Sequence, residues 1–455
     1  MNPASPPAPE GGRGAGPTFD EALKFWLKLG FVSFGGPAGQ IAIMHRELVE
    51  KRRWISERRF LHALNYCMVL PGPEAQQLAT YVGWLLHGTR GGIVAGVLFV
   101  LPSLFILVAL SWLYMRYGDV PVVNAILDGI KPAVVAIVLA AAWRIGSRSL
   151  RHPLLWAIAA AAFVALFAFA VPFPVVILGA ALTGIVGGRI APRAFASAGH
   201  AAASAAHGPS VIDDESPTPA HAHYSRSRLL RTTWVFLAIW AVALGALAGA
   251  FGEASDFTQM GWFFTRAALV TFGGAYAVLP YVLQGAIEDH AWITATQMID
   301  GLALGETTPG PLIMVVAFVG FVGGWAKELL GADALGAAGA LGATVATFFT
   351  FLPSFLFILA GAPLIERTRD DLKLTAPLTA ITAAVVGVIV NLTVFFAWHV
   401  FWPPSLGGRI DWASVGIAAA ASLLLLTRKL EVIPVIGLSA AAGLALWAAG
   451  FQAAT

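Results

Sequence analysis

Charge is scarce in this chain. Only 12% of its 455 residues are Asp, Glu, Lys or Arg while 58% are hydrophobic, against roughly one-quarter charged in ordinary soluble domains, so a soluble fold is excluded. Cysteine is scarcer still: the single Cys67 lies in an apolar stretch, which rules out an intrachain disulfide and leaves no Cys-built metal site or redox pair. No metal and no cofactor are expected. A membrane enzyme would need a nucleophile and base, or metal ligands, gathered within the apolar segments. His62 and His87 stand alone there, so no catalytic residue is expected. The first 17 residues have no apolar h-region and are rich in Pro, Gly and Ala. Residues 1–18 therefore read as a disordered cytoplasmic lead, not a cleaved signal. The net charge of +3 is small and its basic residues sit in short loops, which points to membrane topology and away from nucleic acid.

What the chain has in abundance is apolar runs of about 20 residues, each enough to cross about 30 Å of hydrocarbon. It also repeats itself. Phe31-Val32-Ser33-Phe34-Gly35-Gly36 returns as Leu269-Val270-Thr271-Phe272-Gly273-Gly274, Trp54-Ile55 as Trp292-Ile293, and Pro71-Gly72-Pro73 as Pro309-Gly310-Pro311, all 238 positions on. After an extra segment near residues 325–338, Leu101-Pro102-Ser103 returns as Leu352-Pro353-Ser354 at a shift of 251. The expected organisation is a first repeat over 19–188, a flexible cytoplasmic linker over 189–231, and a connecting span plus second repeat over 232–455. The linker reading rests on its Ala, Ser, Pro and His content with Asp213, Asp214 and Glu215, a composition unable to bury a core. Its His200, His207, His221 and His223 have no metal-ligand spacing.

Matching loops carry opposite charge. Arg46, Lys51, Arg52, Arg53, Arg58 and Arg59 crowd the first-half loop, whereas its counterpart over 284–297 holds Glu288, Asp289 and His290 and no Lys or Arg. Because retained loops collect Lys and Arg, the two loops are expected on opposite faces, as in inverted-topology transporters. The expected fold is an all-α polytopic membrane protein, its two homologous halves in inverted-topology pseudo-symmetry with broken or re-entrant helices. Spans are expected at about 91–115, 121–143, 152–170, 174–188, 233–251, 339–360, 376–397, 412–427 and 433–450. The basic clusters, Arg367, Arg369, Lys373, Arg428 and Lys429 among them, then share one side except Lys327. The chain is thus multi-pass with a cytoplasmic N-terminus, in contact with the lipid bilayer.

Gly-Gly and Pro-Gly-Pro interrupt the helical hydrogen-bond ladder, and hydrocarbon cannot satisfy the groups so freed. Pro73 and Pro311 suit the first turn of a new helix, whose N–H groups and dipole would face the break and favour an anion. Gly35, Gly36, Gly273 and Gly274 allow close backbone approach to an oxyanion, with the Ser33 and Thr271 hydroxyls beside them. Close helix packing is the competing explanation of such glycines. Lys28 and Arg266 each lie seven residues before a double glycine, on the face of the break, or else snorkelling to the interface. Glu74 follows the first Pro-Gly-Pro and Glu306 precedes the second. Either is an ordinary helix-end carboxylate or a protonatable group coupling transport to protons. Asn65, Gln76, Gln77 and Tyr81 are candidates for the same cavity, with interhelical hydrogen bonding as the alternative.

Phe34-Gly35-Gly36-Pro37, the run from Leu70 through Pro71, Gly72, Pro73, Glu74 and Gln77 to Tyr81, and Thr308-Pro309-Gly310-Pro311 resemble the paired signatures of the chromate ion transporter family, in its long-chain, two-domain form. The resemblance covers about 19–188 and 259–398. It implies export of chromate from the cytoplasm across a bacterial-type plasma membrane, conferring chromate resistance, with sulfate a related oxyanion. The second half lacks the counterpart of Pro37, having Ala275, so the two hairpins are not expected to bind identically. A sulfate or other oxyanion transporter and a passive anion channel remain alternatives, and a homodimer is left open.

Overall fold

In a computed structural model the described residues are 16–34, 36–118, 120–195, 210–214, 216, 219–272, 274–367, 375–403, 407, 409–427 and 429–450. Their regular secondary structure is helical, apart from one isolated parallel bridge between Ile55 and Ile212. The first half holds α1 (Phe19–Val32), α2 (Gly36–His45), α3 (Glu57–Val69), α4 (Glu74–Tyr117), α5 (Pro121–Ser149), α6 (Pro153–Phe169) and α7 (Phe173–Ile190). α8 (Arg226–Phe251) connects the halves. The second half holds α9 (Asp256–Val270), α10 (Ala275–Leu283), α11 (Ala295–Thr307), α12 (Val315–Ala326), α13 (Leu335–Arg367), α14 (Thr375–Phe401), α15 (Trp412–Leu426) and α16 (Val432–Ala448). Six helices, α4, α5, α7, α8, α13 and α14, are long and apolar enough to cross a membrane, and four shorter apolar ones accompany them.

The repeat reaches local backbone. Ser56 caps α3 and Thr294 caps α11, the latter in a capping box with Gln297, satisfying first-turn N–H groups that are otherwise orphaned. A π-helical turn over Arg46–Lys51 recurs over Gln284–Asp289, and the positive φ of Arg53 recurs at Ala291.

Each half begins with two helical hairpins. α1 descends to Ser33, and the chain after α2 returns to it: Trp54 packs on Phe25 at 5.1 Å, and Arg52 lies 5.0 Å over the same ring. α3 then runs to Pro71–Pro73, and residues 74–86 of α4 return. At His87 and Gly88 the backbone leaves helical geometry and reverses, so that Gly83 abuts Gly91 and Ala95, and Gly96 faces Thr80 and Gln76. Residues 89–117 then form the long arm of α4. In the second half α9 and α10 fold together through the stacked Phe263 and Tyr281, and Trp292 returns to donate to Asp256 Oδ1 at 2.6 Å. α11 and α12 form the fourth hairpin, and α12 packs on α13 through Gly320, Gly324, Ala338 and Gly342, small residues that let helices approach closely.

The halves interlock. The long arm of α4 starts beside α1, where His87 meets Phe19 and Pro17, and ends among second-half hairpins, where Tyr114 meets Phe318 and Asp300. α13 runs the other way, from Gly336 near Trp112 to Glu366 beside Arg59 and Tyr81. α14 of the second half packs against α5, α6 and α7 of the first, and α5 packs against α15 and α16.

The part of the linker that is described is not free of the bundle, contrary to the composition-based expectation. Residues 210–214 lie along the first-half loop: Val211 N–H donates to Arg53 C=O, Ile212 N–H to Trp54 C=O, and Ser56 Oγ to Asp214. His221 packs on Trp84 and bonds its carbonyl at 2.8 Å. Ile212 and Ala222 supply the apolar anchors that composition hid, both nearly fully buried. Residues 1–15, Glu215, His200, His207, Arg369, Lys373 and Arg428 lie outside the described residues.

Candidate anion site

The four hairpin tips meet tip to tip. Gly72 N–H donates to Thr271 C=O at 2.8 Å, and its repeat counterpart Gly310 N–H donates to Ser33 C=O, the counterpart of Thr271, also at 2.8 Å. Each Pro-Gly-Pro loop thus lies across the Gly-Gly break of the other half. Of the amides that the breaks free from the helical ladder, these two are paired, because crossing the halves supplies carbonyls where hydrocarbon cannot. The loops are held further by side-chain amides. Gln77 Nε2 donates to Pro71 C=O at 2.8 Å, and Gln40 Nε2 to Gly310 C=O at 2.5 Å. The long helices back the crossing reciprocally, with Ser354 against Gly72 and Ser103 against Gly310. Pro309, Gly310, Pro311, Gly72 and Pro73 are buried, and Pro71 is half-buried.

What remains unpaired there is polar and concentrated. Ser33 Oγ, Ser354 Oγ and the Oε1 atoms of Gln40, Gln76 and Gln77 are buried without a hydrogen-bond partner. Native interiors pair about nine in ten such groups, so a cluster of exceptions calls for a ligand or bound solvent. Helix starts converge on the same place. α4 begins after Pro73, α10 after Gly274 and the turn Leu312–Met314 after Pro311, all without a side-chain cap, leaving N–H groups and dipole ends directed at the crossing. The Glu74 carboxylate, half-buried on the first turn of α4, has no hydrogen-bond or ion-pair partner among the described residues. Glu306, near the end of α11, is buried and accepts from Tyr276 Oη.

The sequence candidates divide accordingly. Ser33, Gly72, Pro73, Gln77, Thr271, Pro309, Gly310 and Pro311 come together with Pro71 and Glu74; Phe34, Gly36 and Gly274 flank them half-buried, with Gly36 and Gly274 at φ +68° and +99°. Thr271 contributes its carbonyl, since its hydroxyl bonds back to Ala267 C=O. Gly35 and Gly273 lie outside the described residues. Four candidates are placed elsewhere. Lys28 and Arg266 are exposed on α1 and α9; both helices end, at Val32 and Val270, before the double glycines, so seven residues of spacing carry neither cation to the tips. Arg266 lies over Trp262 instead, 5.9 Å from the ring centroid. Asn65 is exposed on α3 while its neighbour Tyr66 turns inward. Tyr81 is wholly buried, but two helical turns from Pro73, where its Oη donates to Glu366 at 2.5 Å beside the Arg59–Glu366 ion pair of 3.1 Å. Gln40, Ser103 and Ser354 were not among the candidates, although the Leu-Pro-Ser recurrence already marked the two serines as equivalent.

At the loop end, outside the apolar helices, the hydrogen bond from Lys51, with Arg52 and Arg46 nearby, holds the Glu47 carboxyl below its ordinary range. That basic surface stays positive overall.

The family profile described as Chromate transporter matches residues 21–185 and 258–444. The chain is 33% identical to a chromate transport protein of Pseudomonas aeruginosa over 94% of this chain and 92% of that one. It is 28% identical to a probable chromate transport protein of Synechococcus elongatus over 94% and 95%, and 28% identical to a chromate transport protein of Cupriavidus metallidurans over 84% and 83%. No solved structure matches.

Proposed function

The chain belongs to the chromate transporter family, and from that premise we propose that it exports chromate from the cytoplasm across a bacterial-type plasma membrane, conferring chromate resistance. The observation that carries this reading is the crossing of the two Pro-Gly-Pro loops with the two Gly-Gly breaks. That crossing gathers orphaned hydroxyl and amide groups with uncapped helix starts at one place. Chromate is a tetrahedral dianion, and N–H and O–H donors converging from several directions suit its four oxygens without a full countercharge. Two halves of inverted topology, with the N-terminus cytoplasmic, are supported by the opposite courses of α4 and α13 and by the contrasting charge of the matching loops. Rocking the hairpins of one half against the other then exposes the anion alternately to each face. Glu74, on the first turn of α4, competes with the dianion when ionised and admits it when protonated, which makes anion entry pH-dependent; Glu306 with Tyr276 serves the same function on the second-half side, while the driving protons move opposite to the anion.

The test is chromate and sulfate uptake into inverted membrane vesicles with and without an imposed proton gradient. The expected result is uphill chromate uptake that depends on the gradient. Ser33→Ala and Ser354→Ala should each raise the chromate KM about five- to tenfold, the loss of one hydrogen bond of about 1 kcal/mol. Preference for sulfate would reassign the substrate, and flux that only runs downhill would make the protein a channel.

A further inference from the structure

At the end of the bundle away from Arg59 lies a buried charge cluster that the anion site does not use. Asp300 on α11 is 2% exposed. Its Oδ2 accepts from Tyr114 Oη at 2.9 Å, while its Oδ1 has no hydrogen-bond partner. The nearest cation, Lys131 Nζ on α5, stands 4.0 Å from Oδ1 and is already bonded to Asp128 Oδ1 at 2.8 Å. Two carboxylates therefore share one ammonium. Among the described residues, no cation on the helices that pack most on α11 redresses the balance. α12, α14 and α16 contain no Asp, Glu, Lys or Arg, and His399, near the C-terminal end of α14 with its Nδ1 bonded to Phe395 C=O, is their only titratable side chain. Arg116 on α4 is exposed, and Arg144 on α5 acts on Glu306 and Tyr276. The opposite end is built differently, with Arg59 paired to Glu366 at 3.1 Å.

A buried carboxylate without its own countercharge is costly, and a small cation removes that cost. We propose that Asp300, with Asp128, Lys131 and Tyr114 around it, binds the proton that drives chromate movement. This deepens the transport reading above and rests on it. Asp128 and Lys131 side chains are 28% and 20% exposed, which opens the cluster to the end of the bundle where α4 finishes and α5 begins. Under the topology proposed here that is the outer face, where an inward-moving proton enters. The connection to the anion is mechanical. Asp300 belongs to the helix that leads into the Gly310 loop, and Tyr114 to the helix whose Ser103 backs that loop. Protonating Asp300 weakens the charge-assisted bond between those two helices and shifts the balance between conformations of the loop.

The experiment uses the full chain in proteoliposomes with two readouts: chromate accumulation driven by a pH gradient, and chromate–chromate counterflow with no gradient. Asp300→Asn should lower driven accumulation at least about tenfold while counterflow stays within about twofold of wild type, the pattern of a lost coupling ion. Lys131→Gln should move the half-maximal pH of driven uptake upward, because removing the ammonium raises the carboxylate's affinity for a proton. Undiminished driven accumulation by Asp300→Asn overturns the inference. So does loss of counterflow together with accumulation in a protein that inserts normally, which marks a structural role, and so does a wild-type carrier driven by a sodium gradient at equal pH. If Asp300→Asn does not insert, an unmoved pH midpoint in Lys131→Gln overturns it. Wild-type protein lacking chromate counterflow altogether would instead defeat the transport reading.

Discussion

Consider replacing Gly72 by alanine. Gly72 sits at φ +124°, a region that side-chain-bearing residues occupy at a penalty of about 1–3 kcal/mol. The new Cβ would stand 2.6 Å from Gln77 Nε2 and overlap Ser354 Oγ. Clearing that overlap breaks the Gln77 bond to Pro71 C=O, worth about 1 kcal/mol. The sum is about 2–4 kcal/mol, and it falls on the crossed arrangement itself, because Gly72 N–H is the group that reaches Thr271 of the other half. A penalty of that size depopulates the crossed state about 30- to 1,000-fold relative to states that do not require it. Chromate counterflow in proteoliposomes, with thermal melting followed by fluorescence-detected size exclusion, reads the two consequences separately. Gly310→Ala should behave alike, since its Cβ would lie 2.8 Å from Ser103 Cβ at φ +108°. Gly252 is the control: its φ is +93°, yet a Cβ there meets nothing within 4 Å. If Gly252→Ala is as damaging as Gly72→Ala, or if Gly72→Ala transports like wild type, the reasoning from the crossed tips fails.

The Arg59–Glu366 pair is 4% and 2% exposed, so Arg59→Met should destabilise the protein by about 3–5 kcal/mol, and adding Glu366→Leu should recover most of that; equal melting of the single and double variants would refute it. Burial, together with the charge of Arg228, holds the His221 pKa below its ordinary value against the opposing bond to Trp84 C=O. The docked strap therefore has its full stability above about pH 6.5 and loses it as pH falls through the lowered value. Hydrogen exchange over 210–222 should rise on acidification in wild type and lose that pH dependence in His221→Gln. Lys28→Gln and Arg266→Gln should leave chromate KM within about twofold of wild type, as expected of exposed, snorkelling cations; a tenfold rise in KM would return them to the site.

The spans were legible because apolar length and Pro or Gly punctuation are local. Expected spans at 121–143 and 376–397 fall within α5 and α14, and the expected 152–170 is α6 to within a residue at each end. The repeat register was legible for the same reason, and it extends to matching π-helical turns. The crossing was not. Which carbonyl Gly72 would meet depends on two segments about 200 residues apart, and no local pattern carries that information. Gln40 was missed because one glutamine in a short apolar helix looks like packing until its amide is seen on Gly310. The place of Lys28 stayed open between the break and the interface because periodicity gives the angle around a helix and not where the helix ends.

On the proposed mechanism a backbone crossed on itself by two equivalent halves has no preferred direction, since either rocking motion would present the same loops to the same dianion. Direction therefore has to come from whatever the repeat does not copy, and in this chain that is buried charge. At shift 238 Asp300 falls on His62, and Glu306 on Met68, so the second half carries two buried carboxylates on α11 where the first carries none at the equivalent places on α3. Glu366, conversely, has a guanidinium of its own. An ion can bias a two-state carrier only through a difference in its affinity for the two states. The end where a carboxylate lacks a full countercharge is the end with such a difference to offer. The end where Arg59 pairs with Glu366 then serves as the fixed counterpart. Exchanging the imbalance, by Asp300→Asn together with Arg59→Gln, should move the uncompensated carboxylate to Glu366. Driven transport would then respond to protons supplied on the opposite face, or cease if only the α11 end communicates with the Gly310 loop.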